Sequence, residues 1–454
     1  MSTATECSRE SGANRRILSA AAAVTAASVA VKVVAGAKEF VVAGLYGRTD
    51  AMDAFLAAVL VPGLLVNLIS ESMNQALAPT LIRVKELEGH DRAQELLSSA
   101  MLWVCGLLLT ATLAMGVSAR AFFPLVASHF APAKLDLALH LFYALLPMVV
   151  FAGLASNCSV VLNTLDSFAL PALAPAITPI LILLCAPLLA ARFGIWAMAY
   201  GTLAGSLLQA GSVAWMMDRH GYRFRLRWHG MNEATREVAR QYGPVLLSSV
   251  VASSGLLVDQ AMAAMLPPGS VSALAYANRL VNAILFLVGG ALGVAVLPSL
   301  SRMVSYEDWV GCRRSVQTWV RAAALVSIPL AVGLIAGAHA LVRLAFQHGA
   351  FGAHDTETVA PVLAMFAVQI PFYISSRVYY RFLVAMRRTD LVFWCGAINL
   401  LLDIALNLIL MRFMGVAGIA LATSLWTIST FGFLWYWTHR LLNQRERAHA
   451  CVVA

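Results

Sequence analysis

Long apolar stretches recur along the whole of this 454-residue chain. A helix needs about 20 apolar residues to cross the ~30 Å hydrocarbon interior of a bilayer. Stretches of that kind lie near 17–46, 53–82, 97–127, 138–165, 169–191, 194–217, 238–266, 271–301, 316–346, 357–386, 390–411 and 416–439. Because hydrocarbon does not tolerate unpaired backbone groups, each stretch is expected to be helical. The sequence therefore predicts an all-α polytopic membrane protein with about twelve transmembrane helices.

The composition agrees with a membrane protein and sets its orientation. Hydrophobic residues make up 60% of the chain and charged residues 12%, against roughly half and a quarter in soluble proteins. The net charge of +9 comes from arginines in short loops between apolar stretches, which does not favour a nucleic-acid partner. With the N-terminus inside, twenty lysines and arginines lie on the cytoplasmic side and six on the periplasmic side. This bias predicts a bacterial inner-membrane protein with both termini in the cytoplasm.

The stretches group into two halves joined by a basic connection. We expect a cytoplasmic tail over 1–16, a six-helix lobe over 17–221, a basic cytoplasmic linker over 222–237, a second six-helix lobe over 238–441, and a cytoplasmic tail over 442–454. The two halves share sequence at a nearly constant offset. Related motifs that contain Pro79 and Pro298 end the second and eighth stretches, 219 residues apart, and Gly194 and Gly415 open related motifs 221 residues apart. An offset of six helices predicts parallel repeats related by an axis along the membrane normal, an arrangement found in transporters.

Charged residues interrupt the first two stretches. Lys32 and Lys38 lie in the first stretch, and Asp53 and Glu71 lie in the second. An ionised side chain at the bilayer centre costs about 2.5–3.5 kcal/mol, so each needs a partner or a function. These residues are therefore candidates for a substrate cavity. The alternative is that Lys32 pairs with Asp53 or Glu71 and only holds the first two helices together.

The seventh and eighth stretches carry a second group, formed by Asp259, Asn278 and Arg279. A cation in each half, Lys32 and Arg279, suits a polyanionic headgroup, because arginine and lysine both bind phosphate. The alternative is an ion pair between Asp259 and Arg279 that has no ligand.

Two polar stripes follow in the tenth and eleventh stretches. Arg377 and Arg381 are four residues apart, and Asn399, Asp403 and Asn407 repeat the same spacing. Such a spacing places the side chains on one helix face. We expect hydrogen bonds between the two helices, and Arg377 is also a candidate for the cavity.

No motif for hydrolytic, transferase or nucleotide chemistry is found in the sequence. The seven cysteines are scattered and form no metal-binding pattern. His348 and His354 flank a periplasmic loop and are interpreted as surface residues. We therefore expect no cofactor and no metal, and a protein that is not an enzyme.

Several stretches of the sequence resemble the MurJ/MviN family of lipid II flippases, within the multidrug/oligosaccharidyl-lipid/polysaccharide exporter superfamily. The stretches run from Lys32 to Glu39, Asp53 to Phe55, Pro62 to Leu65 with Glu71, Ala78 and Pro79, Gly269 to Leu280, Leu297 to Ser301, Phe346 to Phe351 with Asp355 and Thr356, and Gly415 to Thr423. The resemblance implies a V-shaped bundle of two lobes. It further implies a central cavity that moves an undecaprenyl-pyrophosphate-linked saccharide outward, driven by a coupling ion or the membrane potential and without nucleotide.

The sequence departs from the family pattern in three places. Lys32 and Lys38 stand where the family usually carries arginine, and Val66 and Asn67 stand where it carries an arginine pair, so Asn67 is kept as a cavity candidate. The family usually has fourteen helices. These differences leave open a flippase for an exopolysaccharide or O-antigen repeat unit. A cation-coupled multidrug antiporter and a membrane enzyme acting on the same lipid carrier are further alternatives.

Overall fold

A computed structural model describes residues 2–127, 129–165, 169–223, 225–386 and 388–453. The structure does not describe the side chains of residues 2–23, 125–126, 251–252, 287–298, 389 and 448–453. The cations Arg9, Arg15, Arg16 and Arg387 and the motif at Leu297 and Pro298 therefore fall outside what the structure describes.

The described residues are helical almost throughout. The helices are α1 (Ser2–Tyr46), α2 (Asp50–Val66), α3 (Ser72–Glu88), α4 (His90–Val126), α5 (Pro132–Thr164), α6 (Ala169–Leu173), α7 (Ile177–Phe193), α8 (Trp196–Arg219), α9 (Glu233–Ala263), α10 (Ser270–Ser305), α11 (Trp309–Phe346), α12 (Ala353–Ala367), α13 (Ile370–Ala385), α14 (Thr389–Met414) and α15 (Val416–Val453). A π-turn (Asn67–Glu71) joins α2 to α3, and a 3₁₀ turn (Ala174–Ala176) joins α6 to α7.

The prediction of an all-α membrane protein is confirmed. Among the described residues, nine helical stretches are long and apolar enough to cross a membrane. Helices α1, α8 and α10 coincide with predicted spans but are not among those nine. The count of twelve crossings therefore stays a prediction. Helices α1 and α15 also continue through the stretches predicted to be tails, and α9 begins inside the predicted linker.

Two predicted spans depart from a regular α-helix. The second is helical throughout, but Asn67–Glu71 form a π-helical segment within it that begins and ends on two of the candidate residues. The tenth is divided between α12 and α13, where Pro371 occupies the first turn of α13. Proline is tolerated at that position because the first turn of a helix has no internal partner for its N–H group. π-turns inside helices are frequent at functional sites.

The chain divides into two compact units. The first contains Met1–Tyr46, Ala54–Leu125 and Ala131–Val250, and in it α8 packs against α5 and α7, and α1 packs against α7. The second contains Gly47–Asp53, Val126–Phe130 and Val251–Ala454. In the second unit α14 packs against α15, and both α10 and α11 pack against α12 and α13.

The backbone shows the internal repeat that the sequence predicts. Gly194 ends α7 with φ 55° and ψ −132°, and Gly415 ends α14 with φ 57° and ψ −132°. Each glycine N–H donates to the carbonyl four residues earlier, at 2.8 Å for Ala190 and 3.0 Å for Met411. A side chain disfavours this conformation, which explains why both halves use glycine here. The two halves therefore enter their last predicted span through the same turn.

Candidate functional site

A group of buried polar side chains joins α9, α14 and α15 in the second unit. The Asn407 amide donates to Asp259 Oδ1 at 2.8 Å and to Asp403 Oδ1 at 3.2 Å. The Thr423 hydroxyl donates to Asp259 Oδ2 at 3.1 Å. One amide thus links two carboxylates, and we call these four residues the polar cluster.

Two oxygen atoms of the polar cluster have no hydrogen-bond partner in the described structure, Asp403 Oδ2 and Asn407 Oδ1. Asp403 is 2% exposed and Asn407 is 0% exposed. A buried polar atom without a partner costs about 1–3 kcal/mol, and a charged one costs more. Two carboxylates near each other in a medium of low polarity also repel. The cluster therefore combines two carboxyl groups with two buried oxygen atoms that have no partner in the described structure.

The sequence builds this cluster from helical spacing and one turn. Asp403 and Asn407 are four residues apart on α14 and share a face, as the stripe in the sequence predicts. Gly415 ends α14, and α15 begins at Val416, so Thr423 returns along the neighbouring helix. Gly255 lies one turn from Asp259 on α9, and a methyl group added there would come within 3.6 Å of Asp403 Oδ2. That is an ordinary contact distance, so the carboxylate does not require glycine at this position.

The polar cluster lies between two cavities. One, of about 230 Å³, is lined by Asp259 and Thr423 together with Asn278, Gln369 and Tyr373. The other, of about 240 Å³, is lined by Asp403 with Asn399 and Thr430. Gly255 and Trp426 line both cavities. The two carboxylates thus line different cavities, although both are hydrogen-bonded to one amide.

Other residues of the two polar stripes make separate contacts. Asn399 donates to the Thr430 hydroxyl at 2.7 Å, so this part of the stripe contacts α15. The sequence had predicted that it would contact the arginines of the tenth span instead. Arg377 hydrogen-bonds to the Tyr373 hydroxyl and lies 4.5 Å from the centre of the Tyr373 ring. Its partner Tyr373 lines the first cavity, where Asn278 accepts a hydrogen bond from Asn282 at 2.8 Å. Arg279 is half-buried.

Asp53 is 1% exposed and holds the first turn of α10. Its Oδ2 accepts from the Gly269 N–H at 2.7 Å, and its Oδ1 accepts from the Ser272 N–H at 2.8 Å. A carboxylate at a helix N-terminus satisfies N–H groups that have no partner in the helix and interacts favourably with the helix dipole. The role of Asp53 in this structure is therefore to stabilise the beginning of α10.

An ion pair and a close backbone contact at Gly47 lie in the same region. Arg48 pairs with Asp355 at 3.3 Å and donates to the Gly269 carbonyl at 3.1 Å. Gly47 has φ +52°, and a side chain there would come within 2.5 Å of the Ala350 carbonyl oxygen. Arg48 is one of the six cations on the predicted periplasmic side, but the local sequence gives no sign of this pairing because its partner is 307 residues away.

The remaining candidate residues belong to the first unit. Lys32 is exposed, and Lys38 is half-buried and pairs with the neighbouring Glu39. Asn67 and Glu71, at the two ends of the π-turn, are both exposed. Glu71 accepts a hydrogen bond from the Gln75 amide at 3.5 Å.

Comparison with solved structures identifies the fold. A lipid II flippase MurJ in an inward closed conformation matches with a TM-score of 0.78 at 23% identity, over 91% of this chain and 86% of that chain. An inward-facing multidrug resistance transporter of the MATE family matches with a TM-score of 0.79 at 12% identity, over 92% of this chain and 95% of that chain. The chain therefore has the fold of these two transporters.

Sequence comparison identifies the family. The family model for the lipid II flippase MurJ matches residues 42–452. The probable lipid II flippase MurJ of Synechocystis sp. is 25% identical over 95% of this chain and 83% of its own length. The lipid II flippase MurJ of Burkholderia cenocepacia is 28% identical over 73% of this chain and 66% of its own length. The chain belongs to the MurJ family of lipid II flippases, so the resemblance found in the sequence is confirmed.

The contacts of Asp53 predict a large stability effect. Replacing Asp53 by alanine leaves the N–H groups of Gly269 and Ser272 without their acceptor inside the protein, at about 1–3 kcal/mol each. We expect Asp53→Ala to lower the melting temperature of the purified protein by several degrees. The matched control is Asp50→Ala in the same first turn of α2, where the side chain is exposed and the change is expected to be small. Equal melting temperatures for the two variants would contradict the structural role of Asp53.

Proposed function

We propose that this protein moves lipid II, an undecaprenyl-pyrophosphate-linked saccharide, from the cytoplasmic to the periplasmic leaflet by alternating access. The observation that carries this proposal is the match of the lipid II flippase family over residues 42–452, nearly the whole chain. The relatives from Synechocystis sp. and Burkholderia cenocepacia carry the same functional description.

The proposed location is the bacterial inner membrane, with both termini in the cytoplasm. Nine apolar helical stretches among the described residues support the membrane location. The twenty to six distribution of cations supports the orientation. The connection between α8 and α9 is then cytoplasmic, and the turn between α1 and α2 is periplasmic.

The proposed substrate contacts are cationic and polar side chains from both units. Lys32 and Lys38 in the first unit, and Arg279 and Arg377 in the second, carry the positive charge that a pyrophosphate requires. Asn67, Glu71 and Asn278 are proposed as polar contacts to the saccharide. Arg377 is supported by its contact with Tyr373, which lines the same cavity as Asn278. Sugar hydroxyls hydrogen-bond readily to amide and carboxylate groups of this kind.

Replacement of a depleted flippase tests this proposal. We expect the wild-type gene to restore growth and periplasmic exposure of lipid II in a bacterium depleted of its own lipid II flippase. We expect Lys32→Gln and Arg279→Gln each to lower that exposure at least tenfold, because one charge-assisted contact to phosphate contributes about 1.5–3 kcal/mol.

The control for this experiment is Arg302→Gln, which removes an exposed arginine at the end of α10. It should export lipid II like the wild type. If the wild-type protein reaches normal levels in the membrane but restores neither growth nor lipid II exposure, lipid II is not the cargo. Rescue of a strain that lacks an exopolysaccharide or O-antigen flippase would then assign the cargo to that class of repeat unit.

We further propose that the polar cluster binds the cation that drives transport, and that this cation is Na⁺. The cluster offers only oxygen atoms, from two carboxylates, one amide and one hydroxyl, and oxygen ligands suit hard cations. Asp403 Oδ2 and Asn407 Oδ1 are available because neither has a hydrogen-bond partner in the described structure.

Sodium-dependent stability tests the cation proposal. A ligand present at a hundredfold excess over its Kd stabilises the native state by about 2.7 kcal/mol. We expect NaCl to raise the melting temperature of the wild-type protein above its value in choline chloride, and Asp403→Asn to abolish the difference. Asp390→Asn, an exposed carboxylate at the start of the same helix, is the matched control and should keep it. A wild-type protein that melts at one temperature in both salts would rule out a sodium site.

A further inference from the structure

The connection between α8 and α9, His220 to Asn232, has an alternating sequence. Arg223, Arg225 and Arg227 alternate with Phe224, Leu226 and Trp228. The described residues from 225 to 232 form neither helix nor strand. In an extended chain alternate side chains point to opposite sides, so such a sequence separates basic from apolar groups. We call residues 223–228 the basic segment.

Contacts with the beginning of α4 hold the basic segment in place. The Arg223 N–H donates to Gln94 Oε1 at 3.0 Å, and the Gln94 amide donates back to the Arg223 carbonyl at 2.9 Å. Farther along, the His229 N–H donates to the Ser99 hydroxyl at 3.3 Å. At its start Tyr222 is buried against the ring of His90, with the ring centres 4.3 Å apart. The segment is therefore fixed along the first three turns of α4.

Aromatic side chains place the segment at a membrane surface. Trp228 stacks on Trp103 of α4 with the rings nearly parallel, at 4°, and their centres 6.1 Å apart. The apolar stretch of α4 begins near residue 97, so Trp103 lies within its first two turns. Trp228 is still 44% exposed, and Leu226 beside it is also exposed. Tryptophan is enriched where hydrocarbon meets the headgroup region.

The arginines of the basic segment are exposed and accessible to a ligand. Arg223, Arg225 and Arg227 are all exposed, and none of them has a carboxylate partner among the residues that the structure describes. Arg219, at the end of α8, lies 4.0 Å above the exposed ring of Trp215 and adds a fourth positive charge to this side of the first unit. Guanidinium groups bind phosphate through paired hydrogen bonds.

We propose that the basic segment is a binding site for the phosphate headgroup of an anionic phospholipid such as phosphatidylglycerol. Arg225 and Arg227 bind the phosphate, while Leu226 and Trp228 lie against the acyl chains at the headgroup boundary. The cytoplasmic leaflet is negatively charged and attracts cations held at its surface. The site belongs to the connection between the two repeats and is separate from the proposed substrate contacts and from the polar cluster.

Lipid binding to the purified full-length protein tests this proposal. The protein is placed in nanodiscs of phosphatidylcholine with increasing phosphatidylglycerol, and bound phosphatidylglycerol is counted by native mass spectrometry. Each arginine near a charged surface contributes a factor of about five, so Arg225→Gln with Arg227→Gln is expected to weaken binding about thirtyfold. The charge-conserving pair Arg225→Lys with Arg227→Lys is expected to retain most of the binding. Raising the salt concentration should weaken binding to the wild type.

The matched control is Arg302→Gln with Arg314→Gln, which removes the same charge from two exposed arginines outside the segment. If the control and the segment variant lose phosphatidylglycerol binding equally, the attraction between protein and lipid is non-specific, and the proposed site is wrong. Unchanged phosphatidylglycerol binding by a segment variant that melts like the wild type would also overturn it. A third arm adds lipid II to phosphatidylcholine nanodiscs, and loss of lipid II binding alone would assign the segment to the substrate instead. Failure of the transport proposal would leave the phosphatidylglycerol result unchanged.

Discussion

The structure depends on one constraint, that polar groups within a bilayer must find their partners inside the protein. Backbone groups meet it by forming helices, which is why the described residues are helical almost throughout. Side chains meet it through specific partners. Where α10 begins, the N–H groups of Gly269 and Ser272 have no partner in the helix, and Asp53 supplies both acceptors. A buried carboxylate at that position is a consequence of the fold.

The same constraint separates structural from functional polar residues. Asp53 and the Arg48–Asp355 pair have partners that explain their burial. The polar cluster does not, since Asp403 Oδ2 and Asn407 Oδ1 are buried without a partner in the described structure. Buried atoms of this kind call for an explanation, and a bound ion is the one that we propose at this cluster.

Much of this structure could be predicted from the sequence because membrane helices follow from local composition. Hydropathy located the helices, and the matching motifs at Gly194 and Gly415 correspond to a turn that occurs twice with the same backbone angles. The spacing of Asp403 and Asn407 predicted a shared face. The partners of these residues depend on contacts between distant segments, so neither the bond from Thr423 to Asp259 nor the role of Asp53 could be derived. The π-helical segment in the second span and the break in the tenth were missed because hydropathy does not report backbone geometry.

The most direct test of the proposed transport is a translocation measurement in vesicles that contain only this protein and a fluorescent lipid II. The proposal predicts that lipid II reaches the opposite leaflet faster than in protein-free vesicles and that a sodium gradient changes the rate. It also predicts that Asp403→Asn removes the effect of the gradient. Translocation no faster than in protein-free vesicles would contradict flippase activity, and a rate independent of sodium in the wild type would contradict coupling through the polar cluster.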